Sequence, residues 1–168
     1  NLTAGLGFGG EAQGDTVSGF RAVIGTSLAD MLTGSSVGDT LQGGVGDDTI
    51  AGGAGADSLV GGNALNLSRA VGTNWLTYAG STAGVTVNLT THLGFGGDAQ
   101  DDTVHDFEVL VGSSLADVLT GSDLVFTDSL YGGPGNDTII GGIGPDFIEG
   151  GAGADSLIGS TGPDWLSY

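Results

Sequence analysis

Large aliphatic residues recur every nine positions in two parts of the chain, and each stands between small or polar neighbours. From Gly43 the sequence reads GGVGDDTIA and GGAGADSLV, and from Gly132 it reads GGPGNDTII, GGIGPDFIE and GGAGADSLI. Because side chains alternate across a strand, the last three residues of each copy predict a short strand whose central side chain faces the core. The glycines that open each copy predict a tight turn, since glycine adopts positive φ at little steric cost.

Other copies keep the same frame but depart from it in the turn. They read GTSLADMLT from Gly25, GSSVGDTLQ from Gly34, GSSLADVLT from Gly112, GSTGPDWLS from Gly159 and, with two extra residues, GSDLVFTDSLY from Gly121. The copies from Gly25, Gly34 and Gly112 lack glycine at positions 2 and 4. We therefore expect their turns to be tightened only in part.

A longer period is superimposed on the nine-residue one. The segment that begins NLTAGLGFGG at Asn1 recurs as NLTTHLGFGG from Asn88, and the element Trp75–Tyr78 recurs as Trp165–Tyr168. The chain thus holds about two copies of a unit slightly under ninety residues long, which is typical of a tandem-repeat architecture. Because it opens without a methionine, we expect it to be a piece of a longer polypeptide with more such units.

The motif G-G-x-G-x-D-x-U-x, where U is large and aliphatic, resembles the signature of the RTX (repeats-in-toxin), or haemolysin-type, calcium-binding family. The resemblance is strongest over residues 43–60 and 132–167. It implies an all-β fold, a right-handed parallel β-roll (β-solenoid) of GGxGxDxUx repeats with β-rich spacers. Two repeats then form a coil of about 18 residues, and coils stack about 4.8 Å apart in two parallel sheets.

The repeats also predict a division of the chain and a core. Residues 1–24 are predicted to be spacer strands and 25–62 the first nonapeptide block. Residues 63–111 are predicted to hold an insertion, over 63–73, and a spacer like the first, and 112–168 the second block. The predicted core consists of the position-8 residues Leu32, Leu41, Ile50, Leu59, Leu119, Leu130, Ile139, Ile148, Leu157 and Leu166.

The charge balance is unusual for a chain that is predicted to have an apolar core. Twenty acidic residues stand against two basic ones, and the net charge is −18, although 39% of the residues are hydrophobic. Nucleic acid is excluded as a partner because phosphate binding needs clustered Lys and Arg. No segment approaches the roughly 18 apolar residues of a membrane span. Multivalent cations are the expected counter-charge.

Aspartate at position 6 of each repeat is the candidate calcium ligand, because calcium takes six to eight oxygen ligands from carboxylates and carbonyls. The resemblance implies that each ion lies between the turns of repeats n and n+2. The predicted aspartate pairs are Asp30–Asp48, Asp39–Asp57, Asp117–Asp137, Asp128–Asp146, Asp137–Asp155 and Asp146–Asp164. The predicted turn glycines are Gly43, Gly44, Gly46, Gly52, Gly53, Gly55, Gly132, Gly133, Gly135, Gly141, Gly142, Gly144, Gly150, Gly151 and Gly153.

About six calcium ions (Ca²⁺) would bring about twelve positive charges and reduce the net charge from −18 to about −6. Two positions depart from the pattern, since Asn66 and Asn74 replace the aspartate. A neutral amide is a poorer calcium ligand, so sites there should be weak or absent.

The resemblance implies a calcium-binding structural module, not an enzyme, which folds on extracellular calcium and is linked to type I secretion. Its expected partners are calcium ions and neighbouring tandem units, and its expected location is secreted, extracellular or on the bacterial cell surface. The parent protein could be an adhesin, an exoenzyme or a toxin. An alternative is an accessory polysaccharide- or ligand-binding module of an exoenzyme, using Trp75 and Trp165. An ice-binding surface is the least favoured function, because the outward-facing row of threonines that it needs is interrupted.

Other signals receive structural interpretations. Ser36 lies in a G-x-S-x-G sequence that is in phase with the repeats and lacks the strand–turn–helix setting of a nucleophile. His92 and His105 stand apart from any zinc motif and are interpreted as exposed spacer residues. An acidic cluster could hold a further ion or be a solvated face; it comprises Asp98, Asp101, Asp102, Asp106 and Glu108.

Overall fold

The computed structural model describes residues 1–6, 14–62 and 72–168. Within these ranges the chain is all-β, with sixteen strands, one 3-10 turn at Gly97–Ala99 and no α-helix. Nearly every strand is three residues long, as the x-U-x triplets predict. No helix in the described ranges is long and apolar enough to span a membrane. Part of the predicted insertion, with Asn66, falls outside the described residues.

The strands form two sheets, and strands that follow one another in a repeat block alternate between them. The nine-stranded sheet holds, in spatial order, β1 (Ala22–Ile24), β3 (Thr40–Gln42), β5 (Ser58–Val60), β9 (Thr103–His105), β8 (Leu93–Phe95), β7 (Thr86–Asn88), β11 (Val118–Thr120), β13 (Thr138–Ile143) and β15 (Ser156–Thr161). The seven-stranded sheet holds β16 (Trp165–Ser167), β14 (Phe147–Glu149), β12 (Ser129–Tyr131), β10 (Val109–Val111), β6 (Trp75–Thr77), β4 (Thr49–Ala51) and β2 (Met31–Thr33).

The register of the sheets confirms the predicted coil of two repeats. Thr40 pairs with Ser58, and Phe147 pairs with Trp165, each one coil of 18 residues apart. Across the copy with two extra residues the step lengthens, and Val118 pairs with Thr138. The extra residues are therefore absorbed in the turn, and the strands on either side keep their alignment. All pairings between strands are parallel except those of β8.

The core is one continuous cluster of mostly aliphatic side chains, contributed by both sheets. Eight of the ten predicted position-8 residues are 0–9% exposed. Leu157 is partly buried and Leu166 is 51% exposed, because β15 and β16 are the last strands of their sheets and no further coil covers them. Spacer residues extend the same hydrophobic core; they are Leu76, Val85, Val87, Leu89, Val104 and Leu110.

The spacer inserts a hairpin into only one sheet. Strands β7, β8 and β9 follow one another in sequence and all join the nine-stranded sheet, with β8 antiparallel to both neighbours. The first spacer has a matching bridge, Leu6 to Thr16, where the second pairs Leu93 with Thr103.

Equivalent strands of the two copies of the long repeat lie in opposite sheets of the roll. Strand β1 belongs to the nine-stranded sheet, whereas its counterpart β10 belongs to the seven-stranded sheet. Likewise, the Leu2 N–H donates to Thr33 in the seven-stranded sheet, and the equivalent Leu89 N–H donates to Thr120 in the nine-stranded sheet. Successive units are therefore turned by half a coil.

Candidate metal sites

Two rows of acidic side chains run along the turns of the roll. In each row the Oδ1 of a position-6 aspartate accepts the backbone N–H of the position-6 residue one coil earlier. All six predicted pairs are joined in this way, at 2.7–3.0 Å: Asp30–Asp48, Asp39–Asp57, Asp117–Asp137, Asp128–Asp146, Asp137–Asp155 and Asp146–Asp164. The aspartates that were predicted to pair are therefore neighbours in the structure. Their role as calcium ligands stays a prediction.

Spacer residues extend both rows without matching the nonapeptide. The Asp57 N–H donates to Asp102 Oδ1 at 2.9 Å, and the Asp48 N–H donates to Asn74 Oδ1 at 3.3 Å. Asn74 in turn donates its N–H to Glu108 Oε2 at 2.7 Å. Sequence reasoning missed Asp102 as a member of a row, although Asp102-Thr-Val has the Asp-x-U spacing that marks the other members.

Most carboxylates of the rows are buried, and the rows carry negative charge. Asp48, Asp102, Asp128 and Asp146 are fully buried, and Asp137 is 1% exposed. Burial in a low-dielectric environment disfavours the ionised form. It raises the pKa of Asp48 and Asp137 above the ordinary 3.8 and that of Asp102 to about 7. The rows therefore need either protons or a bound cation to compensate their charge.

The second carboxylate oxygen of several aspartates is buried beside the position-1 glycine of its own turn. Oδ2 of Asp48, Asp57 and Asp137 is buried and has no hydrogen-bond partner within the described residues. A side chain on Gly132 would collide with Asp137 Oδ2 and with the carbonyl oxygen of Gly150. The position-1 glycine is therefore required by the close approach of a carboxylate and a carbonyl oxygen.

These oxygens fit calcium. Buried carboxylate oxygens beside backbone carbonyls are the hard donors that calcium prefers. Among the described residues no group of three or more His, Cys, Asp or Glu side chains comes together. The acidic cluster of the spacer therefore does not form a cage of side chains, and an ion in the roll would take part of its ligands from turn carbonyls.

At one step of the row a tyrosine hydroxyl, that of Tyr78, holds the second carboxylate oxygen. This hydroxyl donates to Asp102 Oδ2 at 2.8 Å, and Tyr78 is 2% exposed. Burial, together with the nearby Asp102 charge, raises the pKa of Tyr78 well above its ordinary value, so the phenol stays protonated and remains a donor.

Other candidate residues are separated from these rows. His92 and His105 are exposed and their rings stack with centroids 4.4 Å apart. On the outer face of the seven-stranded sheet, the rings of Trp75 and Tyr131 stack with centroids 6.0 Å apart. Tyr131 also packs on Phe147 at 5.8 Å.

A parallel β-roll whose turns align buried carboxylates beside carbonyl oxygens is a cation-binding repeat scaffold. A family model described as the RTX calcium-binding nonapeptide repeat matches residues 33–64 and 128–166, in four copies. The chain is therefore a β-roll that carries repeats of the RTX calcium-binding family over these residues. No curated protein matches the chain.

Proposed function

We propose that this chain is a structural β-roll that folds on binding extracellular calcium and serves as a tandem spacer of a protein exported by type I secretion. The observation that carries the proposal is that the second carboxylate oxygen of Asp48, Asp57 and Asp137 is buried and, among the described residues, has no hydrogen-bond partner. Buried carboxylates that lack a compensating charge oppose folding. A cation that binds only the folded turns would remove this penalty, so folding and binding are linked.

Calcium concentration then acts as the switch. Extracellular calcium-binding modules have Kd values of about 10⁻⁴–10⁻³ M. At the low calcium of a cytoplasm the net charge of −18 keeps the chain expanded, and this favours export in an unfolded state. Outside the cell, calcium compensates the rows and the coils stack. The long repeat, with two copies in this chain, supports the role of a spacer.

A calcium titration followed by far-UV circular dichroism tests the proposal. The chain is stripped with EDTA and titrated with calcium, with magnesium as a control at the same ionic strength. We expect a cooperative gain of β-structure that saturates near millimolar calcium and reverses on chelation. A β-sheet spectrum that is the same in excess EDTA and in calcium would refute calcium-coupled folding.

The alternative of a polysaccharide-binding module depends on the aromatic residues. A sugar-stacking platform needs ring faces that are open to the ligand. The Trp75 ring instead turns a face to Tyr131, with an interplanar angle of 9°. This arrangement favours a structural role for the aromatic row. Binding of a glycan that is lost in Trp75→Ala and Trp165→Ala would support the alternative.

A further inference from the structure

The turns of the roll are of two kinds, and they differ in the backbone at position 2 of the repeat. Where positions 2 and 4 are both glycine, both have positive φ, as in Gly133 (97°) and Gly135 (158°). The Gly133 N–H then donates to the carbonyl of Gly150 and turns away from the aspartate of its own turn. We call these open turns; they precede Asp48, Asp57, Asp137, Asp146 and Asp155.

In the other kind, serine or threonine occupies position 2 and closes the carboxylate from within the turn. The Ser113 N–H donates to Asp117 Oδ2 at 2.7 Å, and its hydroxyl contacts the same carboxylate at 2.9 and 3.2 Å. Ser122 bonds Asp128 Oδ2 in the same way, at 2.6 Å from its N–H and 2.8 Å from its hydroxyl. We call these capped turns; they precede Asp30, Asp39, Asp117 and Asp128.

Position 4 helps decide which kind forms. The last copy has Ser160 at position 2 and Gly162 at position 4, and Ser160 takes positive φ (76°) as an open turn does. The capped turns that keep the nine-residue length instead have Leu28, Val37 or Leu115 at position 4. A capped turn of this length therefore has a side chain at position 4.

The kind of turn separates the six aspartate pairs into two groups. Four pairs begin at a capped carboxylate, whose Oδ2 is already held by an N–H and a hydroxyl. The pairs Asp137–Asp155 and Asp146–Asp164 join two turns of the open kind. In the first block, the open turn of Asp48 faces the amide of Asn74, and that of Asp57 faces Asp102, whose Oδ2 is held by Tyr78.

We infer that calcium is bound tightly at only two steps of the roll, Asp137–Asp155 and Asp146–Asp164, and that serine and threonine hydroxyls replace the ion in the capped turns. The inference rests on the proposed calcium-binding function and refines it. Positions 2 and 4 of each repeat become the residues that determine whether a turn takes a cation.

Equilibrium dialysis of the 168-residue chain against calcium tests the number and place of the ions. We expect two tightly bound ions per chain, and one fewer in each of Asp137→Asn and Asp146→Asn. Asparagine keeps the Oδ1 that accepts the neighbouring N–H, so these variants remove charge without breaking the row. The matched controls, Asp117→Asn and Asp128→Asn, change the same residue type in capped turns and should keep both ions.

A gain-of-site variant tests the role of positions 2 and 4. Ser113→Gly combined with Leu115→Gly should open the turn of Asp117 and raise the count from two ions to three. A wild-type count other than two, or loss of an ion in Asp117→Asn, would overturn the inference and leave the proposed function standing. Absence of any calcium binding would overturn the proposed function as well.

Discussion

The hydrogen bond from Tyr78 to Asp102 is a sharp test of the argument that buried carboxylates must be compensated. Tyr78→Phe removes one oxygen and leaves the shape of the ring. Both residues are buried, and the tyrosine hydroxyl donates a hydrogen bond of 2.8 Å to Asp102 Oδ2. The variant therefore leaves a charged oxygen in the core with one donor fewer.

The expected loss follows from the charge of the acceptor. A hydrogen bond to a charged group contributes about 1.5–3 kcal/mol to stability, so Tyr78→Phe should lower the free energy of unfolding by about that amount at pH 7.5. Because the bond stabilises the ionised form, the pKa of Asp102 should rise further in the variant. Lowering the pH to 5 should therefore reduce the loss, since protonated Asp102 no longer carries the charge.

Urea unfolding in saturating calcium, at pH 7.5 and pH 5, measures both effects. Tyr168→Phe is the matched control, because Tyr168 is 96% exposed and its hydroxyl lies in water. A free energy of unfolding within about 0.5 kcal/mol of wild type for Tyr78→Phe at pH 7.5 would refute the reasoning. An equal loss at both pH values would show that the charge of Asp102 is not its cause.

The same structure leads to three further predictions. In EDTA the chain should gain β-structure by far-UV circular dichroism as the pH falls from 7.5 to 5, because the folded-state pKa of Asp102, about 7, lies above its unfolded value of 3.8 and the extra proton that the folded chain binds favours folding; a spectrum that stays disordered at both pH values would contradict this. Ile139→Ala should cost about 2–5 kcal/mol by urea unfolding, whereas Ile143→Ala, at a 41% exposed position, should cost much less. Gly132→Ala should cost about 1–3 kcal/mol because its methyl group meets two oxygens, while Gly80→Ala, which meets nothing within 4 Å, should be nearly neutral.

The nine-residue frame predicted the parts of the fold that depend on local spacing. Strand triplets, inward aliphatic residues and the alignment of Asp137 with Asp155 all follow from the period, because every coil repeats the same path. Leu166 was predicted to be buried and is exposed, since burial at the end of a stack depends on a covering coil. The domain boundaries drawn at the repeat edges stay a prediction.

The spacer and the two kinds of turn could not be predicted in this way. The hairpin that brings β8 between β7 and β9 depends on pairing within the spacer, where the repeat pattern gives no register. Tyr78 lies in the core and its hydroxyl donates to Asp102, a contact that the nine-residue pattern does not encode. The capped turns were expected to be less tight, but Ser113 closes its turn through a hydrogen bond that the motif does not encode.

The hairpin gives the two sheets unequal lengths across one spacer. Between β5 and β11 one sheet takes four steps, whereas the other takes two between β4 and β10. At about 4.8 Å per strand, the two additional strands lengthen one flank by roughly 10 Å, and we expect this wedge to tilt the axis of the roll. Because the next unit is turned by half a coil, its wedge falls on the opposite flank. A fibre of such units would therefore zigzag with alternating tilts that cancel, and it would stay straight over its length.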